Sequence, residues 1–448
     1  MSGRASSSYS VFIETYGCQM NVYDSMAIDG LLRAAGLRLA EDADGADVVL
    51  LNSCSVRDHA EHRVISRAGE LGRRRRDGLG PAVVGVCGCM AERLGEQLLA
   101  MGHGIDLVVG VDQYDRLPRL LLDLLQRPDG LGRVATGHRE AAHYVAPPAA
   151  YPAHNSHLVS IHKGCNYRCT YCVVPLTRGP QHEKAPEVIM AEIERIIAGG
   201  GREVTLLGQN VTAYRWRQEL DFAGLLSQLA GLPGLARIRF LTGHPCDMSD
   251  ALLAVMAAKP QICPSLHLPM QSGSDRVLKR MKRIYTRERY LDLIARTRRI
   301  LPEVTFSSDF IVGFPGETDH DFRATLEAVQ RVKYDQVFAF KYSPRPGAPA
   351  SRLKDDVPLA VKKDRLAALM DAQKEVWQET ASLQIGRVWT VIVEGAARRP
   401  PGAWLGRTAN NRKVLVARSG LKVGDELSVR IRGFQNTTFQ GEPLVNPR

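Results

Sequence analysis

Three cysteines stand in one short stretch, Cys165, Cys169 and Cys172, a C-x3-C-x2-C run. Thiolates at that spacing can hold three irons of a 4Fe–4S cube and leave the fourth iron open. An open position marks a reactive metal site rather than a structural one. Zinc is the competing reading. A structural zinc site takes four protein ligands, and only His162 and His182 lie near enough in the chain to complete one. Another three cysteines, Cys18, Cys54 and Cys89, are dispersed, yet each follows a run with strand character, so folding could gather them into a second three-thiol site. Cys87-Gly88-Cys89 puts two thiols in one turn, so either could belong to that set. Cys246 and Cys263 fit neither set and read as core or incidental.

The elements that must position these thiols fall into three grammars, all within an α/β fold class. Residues 11–17, 47–54, 82–87 and 107–110 read as Val/Ile/Leu-rich strands separated by helical stretches such as 25–35 and 60–76, the pattern of an open parallel sheet. Ligands of such sheets sit beyond the carboxyl ends of the strands, where Cys18, Cys54 and Cys89 fall. A linker is expected over 127–150, with the Pro- and Ala-rich 146–152 inside a turn-rich stretch running on to about His157. From 151 to 383, strand and helix alternate six times. Strands are expected at 158–163, 203–207, 237–241, 265–268, 305–312 and 336–342, with helices at 186–198, 249–258, 287–300 and 319–332.

Six βα units predict a curled, partial (β/α)6 barrel, and barrel enzymes build their sites on the rim after the strands. Each strand here ends in a polar or Gly/Pro-rich loop, from Gly164-Cys165-Asn166 through Gly208-Gln209-Asn210 to Gly313-Phe314-Pro315. A long helix over 359–384 closes the segment, with Leu366, Met370, Gln373, Trp377 and Leu383 as its expected inner stripe and Trp377 a packing residue. Short alternating strands over 386–448 predict a small β-barrel. Residues 9–126 then form the first domain, 151–383 the core and 386–448 the terminal barrel.

Charge narrows the partner. The 448-residue chain carries a net charge of +11, and residues 386–448 alone hold eleven Lys/Arg against four Asp/Glu. A small basic barrel suits a nucleic-acid backbone, so RNA or DNA is expected before a membrane. Arg73–Arg76 reads as a solvated helix end, with RNA contact as the alternative. Nine cysteines in a chain of this length favour metal or redox use in a reducing compartment over a disulfide scaffold. No apolar leader and no run long enough to span a bilayer is read, so a cytoplasmic protein is expected.

Gly164-Cys-Asn-Tyr-Arg-Cys-Thr-Tyr-Cys-Val-Val-Pro175 resembles the radical S-adenosylmethionine superfamily. Further stretches are similar to the methylthiotransferase family within it: Glu14-Thr-Tyr-Gly-Cys-Gln-Met-Asn21, Leu51-Asn-Ser-Cys-Ser-Val-Arg57, Gly88-Cys-Met-Ala-Glu-Arg93, His267-Leu-Pro-Met-Gln-Ser-Gly-Ser274, Met281-Lys-Arg-Ile-Tyr-Thr286 and Phe340-Lys-Tyr-Ser-Pro-Arg-Pro-Gly347. Gln-Met-Asn after Cys18 and Ser-Val-Arg after Cys54 point to the branch that methylthiolates N6-dimethylallyladenosine in tRNA. Gly406-Arg-Thr-Ala-Asn-Asn-Arg412 resembles the signature of the family's terminal TRAM module.

The resemblance implies two 4Fe–4S clusters, a radical-generating one on Cys165, Cys169 and Cys172 and an auxiliary one on Cys18, Cys54 and Cys89, with Cys87 left to packing. It implies S-adenosylmethionine, contacted by Tyr171, Gln209, Asp309, Ile311 and Gly313. One such molecule would donate its methyl group to sulfur; a second would be cleaved to a radical that activates carbon 2 of the adenine. No side-chain base could remove that hydrogen, so no general base is sought and His244 and His267 read as structural. The RNA, a prenylated anticodon stem-loop at position 37, would meet Arg407, Asn411, Arg412 and Lys413 of the TRAM barrel. An electron donor such as a flavodoxin or ferredoxin, a sulfur or cluster donor and a monomeric state are also expected.

Some positions depart from the family's pattern. Leu176 stands where it often has Tyr, Gly243 where it has Ser, and Gln181, Glu183 and Lys184 occupy a stretch that usually carries an acid and a Ser-Arg pair. Three rivals stay open: a sister enzyme acting on threonylcarbamoyladenosine or a ribosomal-protein aspartate, an RNA-binding module whose clusters are structural or regulatory, and a zinc-stabilised barrel.

Overall fold

The computed structural model describes residues 9–55, 58–126, 132–139 and 156–444, without the side chains of 58 and 59. The Pro- and Ala-rich 146–152, Val56, Arg57 and Arg448 lie outside the described residues. Two compact units divide the chain. The first draws on Met1–Ala150, His162–Tyr167 and Cys172–Lys184, and the second on Tyr151–Ile161, Arg168–Tyr171 and Ala185–Arg448.

The first unit is built on six parallel strands: β1 (Ser10–Tyr16), β2 (Arg38–Leu39), β3 (Val48–Ser53), β4 (Val83–Gly88), β5 (Leu107–Val109) and β6 (Arg133–Ala135). They lie in the order β2-β1-β3-β4-β5-β6. Every residue of β3 and of β4 is buried, as helices on both faces of a parallel sheet demand. The chain order reverses between β1 and β3, which is where doubly wound sheets open a crevice. β2 and β6 are additions to the expected strands; with two and three residues they show no usable alternation. β6 falls inside the stretch expected to be linker, of which 127–131 and 140–150 lie outside the described residues.

In the second unit, strands Ser156–Ser160, Glu203–Leu207 and Arg237–Phe240 form one parallel half and Ser265–His267, Thr305–Val312 and Gln336–Lys341 the other. A parallel bridge between Ile238 and Ile262 joins the halves into the expected run of six. Helices Pro186–Ala198, Asp250–Ala258, Arg287–Ile300 and Asp319–Val332 cover it. Three start on hydroxyl caps, Ser249, Thr286 and Thr318, each accepting from the backbone N–H three residues on. Along the fifth strand Phe306, Phe310 and Val312 are buried in the main core, while Ser307, Asp309 and Ile311 are half-buried on the opposite face.

The closing helix spans Leu359–Ser382, and its inner stripe is only partly the one expected from apolar spacing, with Leu366, Gln373 and Trp377 turned inward. Lys362, Arg365, Leu369, Gln373 and Val376 are buried, whereas Met370 and Leu383 are exposed. Two cations turn inward because partners await them: Lys362 Nζ bonds Asp355 at 2.6 Å and Arg365 Nη1 bonds Glu317 Oε2 at 2.9 Å. Trp377 packs as expected, its ring 5.1 Å from Phe434 and 5.0 Å from Phe439.

The last segment closes a five-stranded barrel from Val388–Ala396, Ala403–Thr408, Lys413–Ala417, Glu426–Gln435 and Thr438–Pro443. Ala403–Thr408 and the final strand go beyond the strand pattern that the sequence makes visible. This barrel is seated on the starts of the core strands. Arg239 pairs with Glu203 at 3.0 Å and donates to the carbonyls of Thr408 and Ala409, Arg237 donates to that of Arg407, and Thr305 to that of Asn410, each at 2.8 Å.

Candidate active site

In the first unit, Cys18, Cys54 and Cys89 follow β1, β3 and β4 at one end of the sheet. Glycine makes the approach possible. A Cβ on Gly17 would lie 2.2 Å from Asn21 Oδ1 and 2.9 Å from the Cβ of Cys54, and Gly88 turns at φ +95° against Ser53 and Asn52. A buried amide pair then latches the strand ends together. Asn52 Nδ2 donates to the Asn21 carbonyl at 2.9 Å and to Ser25 Oγ at 2.9 Å, while Asn21 Nδ2 donates to Asn52 Oδ1 at 3.2 Å. Asn21 and Asn52 lie inside motifs that the sequence marks, yet only the fold reveals what they do.

Cys18 caps the helix Gln19–Ala34. Its thiol is drawn down to about 6, first by a hydrogen bond with Cys54, against burial, and further by the Arg178 charge and the backbone around Asn21 and Met20. For Cys89, burial pushes the thiol up and the Arg178 charge pulls the other way. Cys87 is fully buried within the apolar core, where desolvation raises it and no cation opposes. That environment suits packing.

Arg178 stands in Pro175-Leu-Thr-Arg-Gly179, which follows the family's pattern apart from Leu176, but the sequence gives it no role. It is 5% exposed, donates from Nε to Cys89 Sγ at 3.2 Å and from Nη2 to Asp24 Oδ2 at 2.5 Å. Nearby, Asp112 takes Lys163 Nζ at 2.5 Å and His138 Nδ1 at 3.2 Å. Arg93, in the third motif, grips Glu61 and reaches Ser55 Oγ at 3.3 Å. The departing residues have local partners. Lys184 donates to Tyr23 Oη at 2.8 Å, Gln181 Nε2 to Glu183 at 2.8 Å, and the Leu176 carbonyl faces His138 Nε2 at 3.0 Å. At the helix end, Arg74 pairs with Asp44 and Arg75 with Asp106, so these two serve local structure.

Cys165 and Cys172 belong to the first unit and Cys169 to the second. Cys165 N–H bonds the Gly179 carbonyl at 3.1 Å, and Cys172 Sγ accepts from Val174 N–H at 3.5 Å. In the second unit Cys169 is 7% exposed, and Arg283 Nη1 donates to its sulfur at 3.6 Å. Tyr171 and Ile311 pack into one cluster with Phe314, Tyr342 and Met281, so two expected cofactor contacts meet. Gly313 adopts φ +68°, its N–H bonds Glu317 Oε2, and a Cβ there would strike Lys362 Cγ at 2.4 Å. Asp309 lies 3.4 Å from His267 Nε2, whose Nδ1 is 2.9 Å from Ser307 Oγ. Gln209 follows its strand as expected, its Oε1 buried with no partner among the described residues. His244 accepts from Cys246 N–H at 3.2 Å and is pushed down to about 2 by burial and the Arg283 charge. Gly243 has Leu268 and Thr212 within 3.1 Å of where a Cβ would sit.

The expected RNA contacts are placed differently from one another. Arg407 pairs with Glu394 and reaches Asn411 Oδ1 at 3.0 Å; Arg412 bonds Asp335 at 3.0 Å and Gln384 at 3.1 Å. Lys413 is exposed. Arg412 thus holds the barrel to the core.

The donor chemistry fits iron–sulfur clusters: all nine cysteines are reduced, three converge beside a buried cation, and Cys18 is disposed to be a thiolate. Among the described residues no three His, Cys, Asp or Glu side chains are set around a single ion. A cube instead takes one thiolate per iron. Among the described residues no helix is long and apolar enough to cross a membrane.

The Radical SAM superfamily matches residues 159–329, and the Uncharacterized protein family UPF0004 matches residues 10–110. A tRNA-2-methylthio-N(6)-dimethylallyladenosine synthase of Porphyromonas gingivalis is 42% identical over 98% of this chain and 95% of its own length. The synthase so named from Chlorobium chlorochromatii is 40% identical over 97% of each. Among solved structures, the radical S-adenosylmethionine methyltransferase TsrM of Kitasatospora setae aligns over 77% of this chain and 74% of its own, with a TM-score of 0.56 and 15% identity, a likeness of fold. This enzyme uses S-adenosylmethionine and iron–sulfur clusters, and the chain belongs to the tRNA-2-methylthio-N(6)-dimethylallyladenosine synthase family of the radical SAM superfamily.

Proposed function

We propose that the protein installs a methylthio group on carbon 2 of N6-dimethylallyladenosine at tRNA position 37. The observation that carries this is identity of 40–42% across nearly the whole chain to synthases named for that product. The convergence of Cys18, Cys54 and Cys89 supports it. Cys165, Cys169 and Cys172 would hold one 4Fe–4S cluster and the dispersed triad a second. When bound, the clusters and S-adenosylmethionine supply a radical, a methyl group and sulfur, chemistry that no side chain offers.

The chain's own residues bind and orient. Tyr171, Ile311 and Gly313 present an apolar wall and a tight backbone turn for the cofactor's adenine, with Gln209 and Asp309 as polar contacts. For the RNA, Lys413 would meet phosphate, with Arg407, Asn411 and the Glu442-paired Arg432 at its margin, and Arg412 would act indirectly by fixing the barrel. The barrel sits at the strand starts, away from the rim that carries Gly313. A grip on stem phosphates there leaves the base to be presented elsewhere. A monomer in the cytoplasm, served by a flavodoxin- or ferredoxin-type reductant and a sulfur or cluster donor, completes the reading.

The test is anaerobic turnover of a prenylated anticodon stem-loop, with nucleosides analysed by tandem mass spectrometry. Wild-type protein should yield the 2-methylthio product, and Cys89→Ala and Cys172→Ala should not. Product from threonylcarbamoyladenosine RNA alone would overturn the substrate. RNA binding without 5′-deoxyadenosine from the loaded protein would overturn the enzyme reading.

A further inference from the structure

We propose that Arg178 is a positioning residue that sets the reduction equilibrium of the cluster assigned to Cys18, Cys54 and Cys89, acting through its hydrogen bond to the Cys89 sulfur. The inference rests on that ligand assignment. Arg178 is 5% exposed. Its planar fork is divided: Nη2 and Nη1 face the two carboxylate oxygens of Asp24 at 2.5 and 3.4 Å, and Nε points at Cys89 Sγ from 3.2 Å. Asp24 is itself oriented, with Tyr114 Oη donating to Oδ2 at 3.5 Å. It lies on the helix that Cys18 caps. One buried cation therefore ties the element carrying Cys18 to the sulfur of Cys89.

The charge count explains why this matters. A buried guanidinium is tolerated when a carboxylate neutralises it, and Asp24 does so using only the Nη edge. The Nε–H remains, fixed in direction by the guanidinium plane, and is directed at sulfur. Hydrogen bonds to ligand sulfurs and local charge tune cluster potentials. A cluster gains negative charge when it takes one electron, so a donor and cation beside its thiolate favour the reduced state. Losing them must lower the potential.

The test uses the full chain with Cys165→Ala, Cys169→Ala and Cys172→Ala as parent, so that any cluster left is the auxiliary one. Parent, Arg178→Gln/Asp24→Asn and Arg178→Lys are reconstituted anaerobically, and iron and acid-labile sulfide are counted. Each is then titrated with dithionite through redox mediators while its absorbance is followed. The neutral double variant should retain its iron and show a reduction constant lowered at least tenfold, a shift of about 59 mV for one electron. Arg178→Lys, which keeps charge but not the fixed fork, should shift less in the same direction. Iron-loaded variants with the parent's potential would overturn the proposal. If the double variant holds no cluster, Arg178→Lys decides; loss of the cluster there too would make Arg178 a folding requirement and also overturn it. A parent without iron would instead sink the ligand assignment.

Discussion

Arg283 donates to the Cys169 sulfur at 3.6 Å while its other terminal nitrogen holds the Pro269 carbonyl at 2.7 Å and its plane lies over Tyr285. Arg178 stands to Cys89 in the same relation. Each proposed cluster loop thus has one buried guanidinium aimed at one sulfur. Removing Arg283 also takes a charge-assisted hydrogen bond from the buried Pro269 carbonyl, which keeps only Tyr285 Oη at 3.2 Å, a loss of roughly 1–3 kcal/mol. Arg283→Met should lower the melting temperature and cut 5′-deoxyadenosine formation at least tenfold, with Arg283→Lys between it and wild type. Equal radical yield per iron in wild type and Arg283→Met would refute this role.

The amide latch gives a second expectation. Asn52 makes two buried hydrogen bonds with Asn21 and a part-buried one with Ser25, so Asn52→Leu takes the acceptor from Asn21 Nδ2 and one donor from the Asn21 carbonyl. A loss of about 2 kcal/mol in urea unfolding should accompany failure to load the dispersed triad. With the compact triad replaced by alanine, iron in Asn52→Leu should fall to a small fraction of the parent's. Full iron loading would show that the strand ends converge without the latch.

Much of this architecture is legible in the amino-acid sequence alone. The strands β1, β3 and β4 announce themselves as short apolar stretches, Val11-Phe-Ile13, Val48-Val-Leu-Leu51 and Val83-Val-Gly-Val86, and a cysteine just past each strand is visible as such. The roles of Arg178 and Arg283 are not legible. Both stand in stretches that resemble the family, Pro175-Leu-Thr-Arg-Gly179 and Met281-Lys-Arg-Ile-Tyr-Thr286, but nothing there says that they are buried, and their partners lie 154 and 114 residues away. The closing helix misleads for a related reason. An apolar-only reading rotates its face toward Met370, whereas Lys362 and Arg365 are drawn inward by Asp355 and Glu317.

Asp112 predicts an acid limb. Burial pushes its carboxyl up, but hydrogen bonds from His138 and Lys163 and the lysine charge outweigh this and bring it to about 2. A carboxylate depressed in the folded state binds fewer protons than in the unfolded one, so its contribution is present above the unfolded value and lost as pH falls through about 2. His138 is shifted the opposite way, raised chiefly by its bond to Asp112. Its contribution is full below the unfolded value and fades as pH rises through the folded one. Urea melts of wild type and Asp112→Asn should therefore converge between pH 4 and pH 2, by about 1 kcal/mol after screening. Parallel curves across that window would contradict the pairing.

The terminal barrel separates docking from RNA contact. Arg412 is engaged by Asp335 and Gln384 and lies over the Trp389 ring, while Lys413 beside it is exposed. Neighbours in sequence should then behave as opposites. Arg412→Gln breaks a partly buried ion pair and should destabilise the full chain by about 1–3 kcal/mol, leaving the salt dependence of RNA binding unchanged under folding conditions. Lys413→Gln should leave unfolding within about 0.5 kcal/mol of wild type, yet lower the slope of log affinity against log salt by about 0.7–0.9, the loss of one phosphate contact. Paired unfolding and salt titrations on a stem-loop RNA decide it. If Arg412→Gln changes the slope and Lys413→Gln does not, the guanidinium faces the RNA and its bond to Asp335 is exchanged on binding.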